Sequence, residues 1–292
     1  MPTDAVAPTG GRLSVRKTYK LFIGGAFPRS ESGRSYEVRS ADGRFLANAA
    51  LASRKDVRDA VVAARAAFAR WSGATAYNRG QILYRIAEMM EGRRAQFVDE
   101  VAAFGEDAAT VDAAIDRWVW YAGWADKFAQ VHGAANPVAG PYFNLSTPEP
   151  TGVVGIVAPA EPALLGLVSV VAPAIVTGNT AVVLASETRP LPAVTLAEVL
   201  ATSDLPGGVV NLLTGRVAEI APWLASHMDV NAIDLTGVED PALARTLEEA
   251  AAENLKRVVR PPTAPVDWTA DPGVERMAAF VETKTVWHPK GL

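Results

Sequence analysis

EPTGVVGIVAPAEPALLGLVSVVAPAIVTGNTAVVLASE, residues 149–187, holds two short apolar runs on either side of a longer one. Residues 152–158 and 181–185 have the length and valine content of strands, and residues 163–177 have the length of a helix. Glycines and prolines mark the joints. A strand, a helix and a second strand in one sheet call for a crossover, and a crossover makes the strands parallel. The alternation continues with strand 209–214, helix 217–227, strand 231–236, helix 240–254 and a fifth short strand at 256–259. The reading is an α/β chain whose centre, residues 149–260, is a doubly wound parallel sheet. Such sheets take their ligands outside the carboxyl ends of the strands, which is where Ala160 and Glu161 fall.

Upstream, residues 21–130 read as opening strands followed by helices. Ser53 and Asp56 fit a capping pair, and Val57, Ala60, Val61, Ala64, Phe68 and Trp71 recur at helical spacing. A second helix is expected from about 78 to 104, and a third over DAAIDRWVWYAGWADKFAQV, residues 112–131, whose aromatic stripe reads as packing on a core. Residues 131–148 are punctuated by Gly133, Pro137, Gly140 and Pro141 and read as a protruding hairpin. Residues 261–280 are turn-rich, as in a linker with a short helix at its end, and 281–292 carry a last strand, VETKTVW. Residues 1–20 read as a flexible arm without the apolar centre of a signal peptide.

The 292 residues suffice for a sizeable core. The net charge of −4 is spread along the chain, so neither a nucleic-acid stripe nor an acidic tail is evident. Pro159, Glu161, Pro162 and Pro173 interrupt the longest apolar stretch, which excludes it as a membrane span and leaves the cytoplasm as the expected location. Cysteine is absent, so there is no disulfide, no thiolate metal site and no thiol nucleophile in the chain. His132, His227 and His288 are scattered, and no metal site is expected.

Collinear motifs then carry a resemblance. LFIGGAF (21–27), DVRDAVVAARAAFARW (56–71), RGQILYRIAEMME (79–91), EPTGVVGIVAP (149–159), APAIVTGNTAVVL (172–184), LPGGVVNLLTG (205–215), LASHMDVNAIDLTG (224–237) and AAAENLKRV (250–258) resemble the aldehyde dehydrogenase superfamily, as does the final VETKTVW. The likeness is to its truncated, second modules. It implies a coenzyme-type domain at 149–260, an oligomerisation flap built from 131–148 and 281–292, and a linker at 261–280 where the family inserts its catalytic domain.

The same resemblance implies departures at the site. The family's asparagine oxyanion donor falls on Glu161 and the preceding tryptophan on Ala160. Loss of such a donor costs about 3–4 kcal/mol, and an ionised carboxylate about 4 Å from an oxyanion adds repulsion. No carboxylate follows LKRV, where the family's base lies. Glu187 matches the family's ribose-binding glutamate, but Ala185 stands near its lysine. Gly237 matches the pyrophosphate turn, whereas Val238 and Ala242 replace its serine and second glycine. The resemblance thus implies a chain that is not an enzyme alone, with no cofactor expected beyond weak NAD(P) binding at Glu187 and Gly237. Tyr142, Phe143, Leu145, Val281, Thr283, Thr285 and Trp287 are the expected oligomerisation residues, the partner being a full-length aldehyde dehydrogenase or another copy. The alternative is an NAD(P)-binding oxidoreductase-like protein or nucleotide sensor.

Overall fold

The computed structural model describes residues 17–291. In chain order, β1 (Ser35–Arg39) and β2 (Phe45–Ala50) precede α1 (Arg54–Ser72), α2 (Ala76–Glu91), α3 (Arg94–Ala102), α4 (Ala108–Trp124) and α5 (Phe128–His132). Then come β3 (Ala134–Asn136), β4 (Tyr142–Pro150), β5 (Val153–Val157), α6 (Leu165–Val176), β6 (Thr180–Leu184), α7 (Leu191–Leu200) and β7 (Val210–Leu213). The chain closes with α8 (Val217–Ala225), β8 (Ala232–Asp234), α9 (Pro241–Ala252), β9 (Arg257–Val259), α10 (Glu275–Ala278) and β10 (Val281–Pro289).

Local chemistry explains several helix boundaries. Ser53 and Asp56 form a reciprocal capping box that starts α1. The helix expected over 78–104 is two helices: Gly92 closes α2 by bonding Glu88 O, and Arg93, outside the helical region, restarts the chain as α3. Asp107 starts α4 four residues earlier than its apolar period suggests, its carboxylate accepting from Ala109 N at 2.8 Å. Trp118 and Tyr121 of α4 are fully buried, so the aromatic stripe belongs to the core. Of the arm expected over 1–20, residues 1–16 lie outside the described residues. Tyr19 is buried and bridges Ala49, which ties the segment after Lys17 to β2.

The main sheet has the order β7-β6-β5-β8-β9, parallel throughout. One face, with Val154, Ile156, Ala181, Val183 and Ala232, packs in a core with α2, α4, α6 and α7. The other, with Val153, Val157, Val182, Leu213 and Ile233, packs with α1, α8 and α9. Because α8 and α9 share this second face, no crossover helix covers β8 and β9 on the first. The 261–280 segment does that work: Met277 and Phe280 are fully buried in the first core, and Trp268 and Val274 pack against it. The segment is therefore a packed strap rather than a free linker.

The hairpin and the last strand, far apart in sequence, form a single antiparallel sheet of order β10-β4-β3. Among the described residues no helix is long and apolar enough to cross a membrane.

Candidate functional site

The order of the main sheet reverses between β5 and β8, so the ligand crevice of this architecture lies outside their carboxyl ends. Two loops meet there. Gly237 N donates to Val157 O at 2.9 Å, and a Cβ on Gly237 would stand 2.0 Å from Ala158 O. Glycine is required at this position by close backbone approach, whatever binds beside it. Val238, next in the loop, is buried and packs in the second core.

Glu161 follows Ala160 at the end of the β5 loop. Its carboxylate is two-thirds exposed and accepts from Arg189 Nη2 at 2.8 Å. Arg189 comes from the loop after β6 and also reaches Glu106 Oε1 at 2.9 Å. Burial lowers the Arg189 pKa, but the bonds to Glu106 and Glu161 outweigh it and raise the value. Glu106, its side chain buried, accepts from Ala163 N at 2.8 Å as well, which ties the α3–α4 connection to the chain just ahead of α6. The Glu161 charge therefore faces a guanidinium, and repulsion of an oxyanion from an unpaired carboxylate is not the situation in the fold. Ala160 contributes only its carbonyl, which accepts from Ser186 Oγ at 3.3 Å.

Glu187 stands past the end of β6, two residues after the buried Ala185. It is held by Arg216 Nη1 and by Val217 N, the latter at 3.0 Å, at the start of α8. Its hydrogen bond and charge raise the Arg216 pKa. At the start of α9 the Asp240 carboxylate accepts from Ala242 N at 2.9 Å. A dinucleotide would thus meet two different halves. The Glu187 carboxylate, about one-third exposed, is an acceptor with one oxygen on Arg216 and the other on Val217 N. The α9 N-terminus, where a diphosphate would bind, is filled by the chain's own anion. Glu187 leaves a ribose an acceptor already shared with Arg216, and the α9 end does not fit a diphosphate.

A third cluster lies where the strap meets β8. Asp234 is fully buried; Thr236 N reaches its Oδ1 at 2.8 Å, Thr236 Oγ1 donates to the same oxygen, and Arg276 Nη1 lies 3.2 Å from Oδ2. Burial raises the Asp234 pKa, opposed by Arg276 and Thr236. Arg276 also packs over the Trp268 ring, and Arg117 of α4 bonds the Trp268 and Ala270 carbonyls at 2.5 and 3.1 Å. Burial pushes the neighbouring Tyr121 hydroxyl up to about 12. Among the described residues, no group of three or more His, Asp or Glu side chains is disposed to hold a metal.

Sequence reasoning missed Arg189, Glu106, Arg216, Asp234 and Arg276. Each acts across 28 or more residues, as Arg276 does with Asp234 (42 apart), and no local spacing signals such a pair.

The flap register sorts the expected oligomerisation residues onto two faces. Val281, Thr283, Thr285 and Trp287 oppose Pro150, Pro148, Ser146 and Asn144, so they share the face of Tyr142, whose ring meets Trp287 edge-on at 5.7 Å. Phe143 and Leu145 lie on the opposite face with Val286 and Ala135. Tyr142, Phe143, Leu145 and Trp287 are all exposed, Phe143 by 58% and Trp287 by 56%.

The doubly wound sheet, the crevice and the appended flap define a coenzyme-domain type of α/β protein. The "Aldehyde dehydrogenase family" model matches residues 27–260, and the chain belongs to that family. It is 33% identical over 268 residues to cytosolic 10-formyltetrahydrofolate dehydrogenase of Pongo abelii, covering 87% of this chain and 29% of that protein. It is 35% identical over 257 residues to retinal dehydrogenase 2 of Homo sapiens, covering 84% of this chain and 48% of that protein. An NAD+ complex of an aldehyde dehydrogenase from Bacillus cereus superposes with a TM-score of 0.76 at 28% identity, over 83% of this chain and 50% of the other. PnpE from Pseudomonas sp. WBC-3 gives 0.75 at 29%, over 83% and 50%. The chain therefore spans about half the length or less of the proteins it matches.

These relationships correct one expectation. The reading that the chain is not an enzyme is overturned by its membership of a family whose matching members are dehydrogenases. That reading rested on residues missing from 292 positions, and absence from a chain spanning 29–48% of its curated relatives is not evidence of lost chemistry. The expectation of no cofactor likewise lacks support beside a structural neighbour holding NAD+.

Proposed function

We propose that the chain works as a subunit of an aldehyde dehydrogenase assembly, joined through its flap to a full-length family member or to a second copy. The observation that carries this reading is the flap itself. β10 is an edge strand nine residues long, and the β10-β4-β3 sheet presents Phe143, Leu145 and Trp287 to solvent. A long edge strand with exposed apolar side chains is a template for strand addition by another chain.

Within the assembly, the Glu187 end of the crevice binds the adenosine part of NAD(P), weakly, because α9 offers a diphosphate a carboxylate rather than free N–H groups. A cytoplasmic setting accords with the cytosolic relative. Co-purification from the source cells with a tagged chain, followed by native mass measurement, tests the reading. A dehydrogenase recovered in fixed ratio, or a homo-oligomer, is the expected outcome. A chain that stays monomeric at all concentrations, with no dehydrogenase retained, overturns it.

A further inference from the structure

We infer that a second cleft, away from the crevice and built from the first described segment, the 29–35 turn and β2, binds a small tetrahedral oxyanion: a phosphate group, free or as a monoester. The cleft has a volume of about 150 Å³. A water molecule takes about 30 Å³ of liquid, so a phosphate fits with some of its hydration. Lys20, Arg29 and Arg34 are among the residues that line it, together with Ser35 and Asn48, and no Asp or Glu is among them.

The charge around the cleft is what calls for a ligand. Among the described residues Lys20 and Arg29 have no hydrogen bond or ion pair, and the Arg34 side chain reaches only Ser32 Oγ, at 3.4 Å. Among the described residues, three cations thus share one concavity whose lining holds no counter-charge. The nearby acids are committed elsewhere. Asp56 stands behind Ser30, accepting from its Oγ at 2.8 Å, from Glu31 N at 3.0 Å and from Ser53 N at 2.7 Å. Glu31 pairs with Lys55. Glu100, behind Tyr19, accepts from its hydroxyl at 3.2 Å and from Thr195 Oγ1 at 2.7 Å. These carboxylates lower the field in the cleft but pair with none of its three cations, of which Arg34 alone has a bond, to the neutral Ser32 hydroxyl.

The donor set selects the ligand class. Two guanidinium forks and an ammonium, with a hydroxyl and an amide, offer more donors than the two oxygens of a carboxylate can accept. A phosphate carries close to two charges and three or more acceptor oxygens, and charge-assisted bonds to Arg are the strongest of this kind. The site shares no residue with the Glu187 crevice, so it stands or falls independently of coenzyme binding.

Calorimetric titration with inorganic phosphate at constant ionic strength tests the inference, with acetate as the singly charged control and glycerol phosphate as the esterified arm. One saturable site for phosphate, absent for acetate, is expected. Lys20→Gln with Arg29→Gln should weaken it at least about tenfold, the effect of losing one charged donor or more. Arg29 is exposed and Lys20 half-buried, so the double variant should keep the wild-type Tm in phosphate-free buffer. Phosphate should then raise the Tm of the wild type but not of the variant. Tighter binding of glycerol phosphate than of inorganic phosphate assigns the site to an ester; equal or weaker binding assigns it to the free ion. A response to phosphate no greater than to acetate, or one unchanged in the double variant, overturns the proposal.

Discussion

The two sheets of this chain use the same backbone ladder and opposite side-chain economies. Every residue of β5 and β6 is buried, and both faces of their sheet are covered. β4 and β10 pair over nine positions, yet in β10 no residue is buried and in β4 only Asn144 is. Backbone hydrogen bonds alone contribute little net stability, because the unfolded chain bonds to water. The main sheet is therefore stable through what it buries, and the flap sheet through its attachment to the rest and through whatever covers it. The join between the two is short: Phe280 is fully buried, and its carbonyl accepts from Asn179 Nδ2 at 2.9 Å and from Thr151 N at 3.1 Å immediately before β10 begins.

The largest expected effect falls on that join. Phe280→Ala should lower unfolding free energy by about 3–5 kcal/mol, as for a phenylalanine removed from a packed core. Urea unfolding measures it. A loss under about 1 kcal/mol would mean that the strap does not belong to the core, and the comparison between the regions would fail at its hinge.

Arg276→Met comes next. It leaves the buried Asp234 with Thr236 alone, and should cost about 2–3 kcal/mol at neutral pH. The sign of its pH dependence follows from the raised Asp234 pKa. The folded state holds the Asp234 proton more tightly than the unfolded chain, so this group favours folding in acid and that advantage is lost as pH rises through its folded value. Removing Arg276 raises the folded value further. The deficit of Arg276→Met should therefore shrink on acidification toward the ordinary aspartate range, about 4, and be largest at neutral pH. Unfolding curves at both pH values check this; a deficit that grows in acid would show that Arg276 is not the partner of an ionised Asp234.

How far the sequence discloses these features depends on the range of the interaction. β5, α6 and β6 are legible from residues 149–187 because full burial makes every residue apolar over strand or helix length. The Ser53–Asp56 cap is legible because its partners are three residues apart. The break at Gly92 is not, since the apolar pattern carries across it while one residue leaves the helical region. The strap reads as a linker because Trp268, Val274, Met277 and Phe280 have no single period, although all four pack on the core. At the candidate site, Glu161 and Glu187 are visible in sequence, but the arginines that hold them are not. Arg189 and Arg216 are 28 and 29 residues away from their carboxylates, and only the parallel stacking of strand ends brings them together. The flap residues are likewise visible as two segments, while their division between two faces needs the β4–β10 register.

The smallest effect on stability is the sharpest test of the contrast. Phe143→Asp with Leu145→Asp places two charges on the flap face that also carries Val286 and Ala135. Both side chains are exposed in the chain alone, 58% and 42%. Substitutions at such positions ordinarily shift stability by no more than about 0.5 kcal/mol each, so the purified chain should unfold almost as the wild type does. Burial of the same face against a partner changes the outcome, because each carboxylate would then have to shed its water without a counter-charge. The native mass of the assembly should fall to that of the free chain, while Tyr142→Asp, on the other face beside Trp287, reports whether that face is covered as well. A double variant that assembles normally but unfolds several kcal/mol early would reverse the assignment: the face would be packed within this chain, and the flap would resemble the main sheet after all.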